Sequence, residues 1–138
     1  MDKIVFITGA SSGIGAGCAR KFASQGASLI LNARNVNKLS ALKEELEKQY
    51  GAKIYLLPFD VRDRKAATSA LESLPKEWQS IDILVNNAGL VIGTDKEQEG
   101  SLDEWDIVID TNIKALLAMT RLIVPGMVER KRGHIINI

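Results

Sequence analysis

The sequence predicts an α/β protein built on a doubly wound parallel sheet. Two observations carry that expectation. Five short apolar runs with the character of buried strands alternate with segments whose apolar residues recur at helical spacing. That order calls for parallel strands joined by right-handed helical crossovers. The first run, Ile4-Val5-Phe6-Ile7, also passes directly into a glycine-rich turn and then a helix. Length and composition agree: 138 residues, 46% hydrophobic and 25% charged, are enough for one ordinary globular domain spanning 1–138.

The turn after the first strand reads Thr8-Gly9-Ala10-Ser11-Ser12-Gly13-Ile14-Gly15. Its glycines can take positive φ and let another backbone, or a ligand, come close. A helix that starts here aims unpaired N–H groups and its positive dipole end above the strand, a ready site for a pyrophosphate. Ser11 and Ser12 add hydroxyl donors. A ligand-free turn is the plainer alternative, but turn geometry alone does not call for three glycines in seven residues. Residues Ala16 to Gln25 read as the helix, with Ile14, Cys18, Ala19 and Phe22 toward the sheet and Gly26 as its stop. Cys18 among small residues reads as core.

Ser28 to Ala33 forms the second strand, and the residues at its carboxyl end bear on the ligand. In dinucleotide-binding folds an acidic residue at this strand end takes a ribose 2′-hydroxyl, whereas a nearby arginine accepts a 2′-phosphate. Here the sequence is Leu31-Asn32-Ala33-Arg34-Asn35, without a carboxylate. A guanidinium can hold a phosphate by two hydrogen bonds. Arg34 therefore favours NADP over NAD, the alternative being a solvated loop arginine. A helix from Asn37 to Tyr50 comes next, with Leu39, Leu42 and Leu46 inward and a Glu44–Lys48 pair on the wet face. Gly51 ends it.

The third strand, Lys53 to Phe59, leads into Asp60-Val61. Asp60 stands at a carboxyl end, where ligands bind in open sheets. It reads equally well as an N-cap or turn carboxylate. Asp63 has the position of an N-cap for a helix to Leu74, with Ala67, Ala70, Leu71 and Leu74 inward and Pro75 as the stop. The fourth strand, Ile81 to Val85, runs into Asn86-Asn87-Ala88-Gly89. Alone, that tetrapeptide could be a mere turn. Paired with the Thr8–Gly15 loop far upstream, it is specific.

A polar, acidic loop is expected over 94–100, and Ser101-Leu102-Asp103-Glu104 is a capping box before a long helical pattern. Leu102, Trp105, Val108, Ile109, Ile113, Leu116, Leu117, Thr120 and Val124 make an apolar stripe wider than one sheet face requires. Part of it is thus available to another subunit. Pro125-Gly126 should kink or break the helix. Asn112 lies inside it, either as a satisfied core amide or as a site residue. Arg130 to Arg132 make a basic helix end, favourable against the dipole. The last strand is His134 to Ile138, in which His134 reads as structural.

A net charge of +1 argues against nucleic acid and anionic membranes as partners. A single cysteine excludes an intramolecular disulfide and fits a reducing, cytoplasmic setting. Signal-peptide and membrane-spanning patterns are absent from the sequence, and no metal is expected.

Taken together, Thr8-Gly9-x-x-x-Gly13-x-Gly15, Arg34, Asp60-Val61, Asn86-Asn87-Ala88-Gly89, Asn112 and His134-Ile135-Ile136-Asn137-Ile138 closely resemble the N-terminal half of the short-chain dehydrogenase/reductase superfamily, whose fold is of the Rossmann type. The likeness covers the whole chain. More narrowly, residues 82–90, 125–130 and 133–138 resemble the branch of NADP-dependent 3-hydroxy acid (serine) dehydrogenases. The resemblance implies a loop of Gly9, Ala10, Ser11, Ser12, Gly13, Ile14 and Gly15 that holds the pyrophosphate and adenosine ribose. It gives the 2′-phosphate to Arg34 helped by Asn35, the adenine to Asp60 and Val61, and the ribose region to Asn87, Ala88 and Gly89. It also implies a catalytic Asn, Ser, Tyr and Lys, of which Asn112 matches the Asn.

The other three have no counterpart. The family's serine comes after the fifth strand, and its Tyr-x-x-x-Lys later still. Ile54 stands four residues after Tyr50, and Phe59 four after Tyr55. The expectation is a cofactor-binding half, with five of the sheet's strands, truncated before the catalytic Ser, Tyr and Lys and belonging to a longer polypeptide. The last strand would otherwise be an exposed edge. The whole protein would pass hydride between NADP(H) and a small 3-hydroxy acid or similar alcohol or carbonyl compound, as a homotetramer. The competing readings are a non-catalytic nucleotide-binding module and a self-associating piece that uses its long helix.

Overall fold

The computed structural model describes residues 1–89 and 99–138. Five strands, β1 (Ile4–Ile7), β2 (Ser28–Leu31), β3 (Ile54–Leu56), β4 (Ile83–Asn86) and β5 (His134–Asn137), form one sheet in the order β3-β2-β1-β4-β5. All neighbouring pairs are parallel. The connecting helices are α1 (Gly13–Ser24), α2 (Val36–Tyr50), α3 (Arg64–Glu72), α4 (Leu102–Ile109) and α5 (Ala115–Arg130). A 3₁₀ turn at Lys76–Trp78 precedes β4, and a π-helical turn at Asp110–Lys114 joins α4 to α5.

Alternation along each strand splits the core in two. Val5, Ile7, Leu29, Leu31, Ile83 and Val85 pack with Ala16, Ala19 and Ala23 of α1 and Leu39, Leu42 and Leu46 of α2. Phe6, Ile30 and Leu84 face the other way, onto Ala67 of α3, Trp78, and Ala115, Met119, Ile123 and Met127 of α5. Strands covered on both faces read as continuous apolar runs, and these do. This is the doubly wound arrangement that the sequence predicts.

Several local expectations are corrected. Ile14 does not face the sheet. The helix begins at Gly13, which leaves Ile14 in its first turn and 63% exposed. Ala16, Ala19 and Ala23 take the inner line instead, with Cys18 and Phe22 packed at its margin. β2 and β3 are shorter than expected, ending at Leu31 and Leu56. Past Leu31 the link between them is made by a side chain, Asn32, whose Nδ2 donates to the carbonyls of Leu57 and Phe59 at 3.1 Å each. Asp63 caps α3 as expected, accepting from Ala66 N at 3.0 Å. Ser101 caps α4 through Glu104 N at 3.4 Å. Of the loop expected over 94–100, residues 94–98 lie outside the described residues.

Pro125 does not break its helix: α5 runs through it to Arg130. Pro125 is exposed, while Ile123 and Met127 on either side are buried in the core. The helix is thus held by packing across the missing N–H. The line that α5 buries is Ala115, Met119, Ile123 and Met127, one residue in four. Much of the expected apolar stripe, including Leu102, Ile109, Ile113 and Leu117, is exposed instead. The packing is done by Ala115, two methionines and a single branched aliphatic, Ile123. No helix among the described residues is long and apolar enough to cross a membrane.

The basic end of α5 has a structural task beyond the dipole. Arg132 Nε meets Asp82 Oδ1 at 2.8 Å, and Arg130 Nη2 donates to the carbonyl of Ile81 at 2.7 Å. The other oxygen of buried Asp82 accepts from Ile4 N at 2.9 Å. One carboxylate thereby ties the starts of β1 and β4 to the turn before β5.

Candidate functional site

The turns after β1 and β4 are sewn into one unit. Thr8 is buried, and its Oγ1 accepts from the backbone N–H of Asn87 and of Ala88, both at 3.0 Å. It also donates to Val85 O at 3.4 Å. In return, Asn87 Nδ2 donates to Gly9 O at 3.0 Å and Thr8 O at 3.3 Å. This explains two of the three glycines. A Cβ on Gly9 would lie 2.9 Å from Ala88 Cα, and one on Gly15 would collide with the Gly9 carbonyl and Asn87 Nδ2. These two are needed by the chain's approach to itself. Gly13, at φ +57°, has open space where a Cβ would stand and is left-handed at the very start of α1.

That start lacks the side-chain cap that α2, α3 and α4 carry. Side chains of Asn35, Asp63 and Ser101 cap α2, α3 and α4. Ser12 makes no such bond at α1, and no acidic residue stands in its first turn. Its leading N–H groups and positive dipole end thus meet the space above the sheet with only Ser11 and Ser12 beside them, which suits an anion.

A cleft of about 620 Å³ opens there, within the usual range for a small-molecule site. It lies at the carboxyl ends of β1, β2 and β4, where the strand order reverses, the ordinary ligand position in such sheets. Gly9, Ser11, Ser12 and Ile14 line it from the first turn, and Asn87, Ala88 and Gly89 from the turn after β4. Arg34, Asp60, Val61 and Asn112 line it as well. Ala10, Gly13 and Gly15 shape the loop without lining the cleft, and Ala10 and Gly15 are buried. Asn35 stands outside the wall, with its Oδ1 committed to Lys38 N at 3.1 Å as the cap of α2.

At the β2 edge, Arg34 is exposed and its neighbour Asp60 is held by Arg62. Asp60 Oδ1 accepts from the backbone N–H of Arg62 at 3.0 Å, and Arg62 Nε and Nη2 form a fork onto the carboxylate at 3.2 and 2.8 Å. The guanidinium bond holds the Asp60 carboxyl below the usual carboxylate range, against the opposing effect of burial, and Arg34 adds a smaller attraction. Asp60 is therefore a turn carboxylate and a wall of the cleft at once, while the capping role belongs to Asp63.

Asn112 sits in the π-helical turn, a local widening that often marks functional positions. Its Oδ1 lies 3.1 Å from where a Gly89 Cβ would be, so glycine at 89 makes room for it. Deeper in, Asn86 Nδ2 donates to Thr120 Oγ1 at 3.1 Å and Asn137 Oδ1 at 3.0 Å, and so joins β4, α5 and β5.

Sequence reasoning missed Arg62, Asn32 and Thr111, which also line the cleft. Asn32 had a visible signal, a polar residue closing an apolar strand. It is 1% exposed, and its Oδ1 has no hydrogen-bond partner among the described residues. Arg62 had a weaker one, its place two residues after a carboxylate. Among the described residues no group of three or more His, Cys, Asp or Glu could hold a metal ion.

A model of the short chain dehydrogenase family matches residues 3–138. The chain belongs to the short-chain dehydrogenase family. It is 48% identical over 135 residues to the NADP-dependent 3-hydroxy acid dehydrogenase YdfG of Escherichia coli (strain K12), an alignment that covers 98% of this chain and 53% of that protein. The crystal structure of serine dehydrogenase from Escherichia coli superposes with a TM-score of 0.90 at 48% identity, over 97% of this chain and 60% of that one. The closed form of serine dehydrogenase complexed with NADP+ gives 0.88 at 46% identity, over 97% and 52%. The chain spans about half the length of the curated relatives it matches.

Proposed function

We propose that the chain is the NADP-binding half of an oxidoreductase that interconverts a small 3-hydroxy acid, or a similar alcohol, and its carbonyl form. The carrying observation is the pairing of an uncapped α1 N-terminus with Arg34 at the end of β2, both opening on one cleft. The residues fit the cofactor. The start of α1 and the loop Gly9–Gly15 would take the pyrophosphate, and Arg34 the 2′-phosphate, with the remaining amide nitrogen of Asn35 beside it. Asp60 and Val61 would meet the adenine. Asn87, Ala88 and Gly89 would meet the ribose, and Asn112 would hold a proton-relay water next to Gly89. Bound NADP(H) supplies the hydride chemistry at its nicotinamide.

The similarity to proteins described as NADP-dependent supports this reading. The 138 residues contain no Tyr-x-x-x-Lys, so the chain by itself is expected to bind without turnover. A second reading, which the cleft alone would support as well, is a nucleotide-binding module with no catalysis of its own. In the first reading a cytoplasmic homotetramer is the working form, assembled through the exposed apolar residues of α4 and α5.

The test is calorimetric titration with NADP+ and NAD+. The wild-type chain should prefer NADP+, and Arg34→Asp should weaken NADP+ by about a hundredfold or more while changing NAD+ much less, since it replaces attraction by repulsion at one phosphate. Equal losses for the two would remove Arg34 from the phosphate site. Steady reductase turnover by the chain alone would refute the half-enzyme reading.

A further inference from the structure

Arg34 and Asp60 carry opposite charges at the same end of the cleft, and both line it. Two such groups ordinarily pair. Here they do not: among the described residues Arg34 makes no salt bridge, and Asp60 is engaged by Arg62 instead. The engagement is close to complete. A carboxylate has about four acceptor positions, and Arg62 fills three of them with its backbone N–H, Nε and Nη2. Its planar fork matches the two oxygens as no lysine could. The other carboxylate whose field reaches Arg62 is Asp110, and that one has its own partner, Lys114, at 3.1 Å.

We propose that Arg62 sets the cofactor preference of the cleft without touching the cofactor: it takes up the charge of Asp60 and so leaves Arg34 available to a 2′-phosphate. The inference rests on the reading of Arg34 as the phosphate ligand. Its physical content is a charge count. Arg34, Arg62 and Asp60 together leave one net positive charge at the adenosine end. Without Arg62 the sum is zero, Arg34 is the nearest remaining cation for Asp60, and an approaching phosphate dianion also meets an unshielded carboxylate. NAD, with a hydroxyl at the same place, is indifferent to that change.

The two cofactors share everything but the phosphate, so the ratio of their affinities isolates the effect. Titration of the protein with NADP+ and NAD+ should show the NADP+ preference falling about tenfold in Arg62→Ala, the size of one charge interaction partly screened by water. Arg62→Lys, which keeps the charge and loses the fork, should retain most of it. The decisive variant is Asp60→Asn combined with Arg62→Ala. With no carboxylate to neutralise, Arg62 is no longer needed, and the preference should return to within about threefold of wild type. Any loss of adenine contact from Asp60→Asn falls equally on both cofactors and cancels in the ratio.

An unchanged ratio in Arg62→Ala overturns the proposal. So does a ratio that falls and is not restored in the double variant, which would mean that Arg62 meets the phosphate itself. Failure of the underlying reading looks different: Arg34→Ala would then leave the ratio as it is in the wild type. Thermal unfolding of each variant separates a lost fold, which weakens both cofactors together, from a changed preference.

Discussion

Gly15 and Gly17 are two residues apart in α1, and an added methyl group would meet very different surroundings. At Gly15 it would strike the Gly9 carbonyl and the Asn87 amide that hold the two cleft turns together. At Gly17 it would meet nothing within 4 Å. Gly15→Ala should therefore destabilise by about 2 kcal/mol or more, as overpacking against backbone does. Gly17→Ala should stabilise by ~0.5–1 kcal/mol through helix propensity. Denaturant midpoints check both, and responses of the same sign would contradict the packing described. Asp60 gives a pH prediction. Its pKa is depressed in the folded state by the Arg62 fork. The stability it contributes is thus fully present above the ordinary carboxylate value of about 3.9 and is lost as pH falls through the depressed value. Asp60→Asn should make stability fall less steeply with acid below about pH 5, measured by thermal midpoints; an identical acid limb would show that the fork adds nothing. At this scale legibility follows distance. Thr8, Arg34 and Asn87 were readable because their chemistry belongs to a local pattern. Asp82 was not, because it meets Ile4 from 78 residues away, and Arg62 was not, because a carboxylate two residues off does not say that the pair stands in the wall of a cleft.

Helix ends show what a single sequence can and cannot announce at the next scale. Caps were legible at Asp63 and Ser101 because a capping residue acts within its own turn. The basic end of α5 at Arg130 to Arg132 was legible too, but not its geometry: the chain leaves the helix through Lys131, left-handed at φ 55°. Arg130 and Arg132 explain the choice, since both are pinned to the start of β4 and the turn between them must accommodate that. Lys131 is exposed and carries a conformational cost that glycine would avoid. Lys131→Gly should raise stability by about 1 kcal/mol in chemical denaturation, and a loss would mean that its side chain holds something in place. The π-helical turn was invisible for a related reason. Asp110 to Lys114 carry no local sequence signal for the wider turn that they form. It lets Ala115, Met119, Ile123 and Met127 face the sheet while Asn112 reaches the cleft.

For the molecule as a whole, alternation of strands and helices made the layered sheet legible, since that pattern depends only on which segments are apolar. The outer surface was legible in part: the sequence showed more apolar residues on α4 and α5 than one sheet can cover, but not which of them the sheet takes. The structure leaves Ile109, Ile113 and Leu117 between 42% and 60% exposed, with Leu102 and Val128 at 70%. Beside them a groove of Leu117, Ala118 and Leu122 is rimmed by Arg64, Lys114 and Arg121, while α4 carries Asp103, Glu104 and Asp106. The α4–α5 segment thus carries apolar, basic and acidic parts, the kinds of group with which a surface can pair with a second copy of itself about a two-fold axis. Association of this chain is expected to be strong enough to see by sedimentation at tens of micromolar. Leu117→Asp should shift it to monomer while leaving the unfolding midpoint nearly unchanged, because the side chain is exposed within one copy and would be buried only in the expected pair. A chain that sediments as monomer at that concentration would assign the face to a different partner. An assembly indifferent to Leu117→Asp would put the contact elsewhere on the molecule.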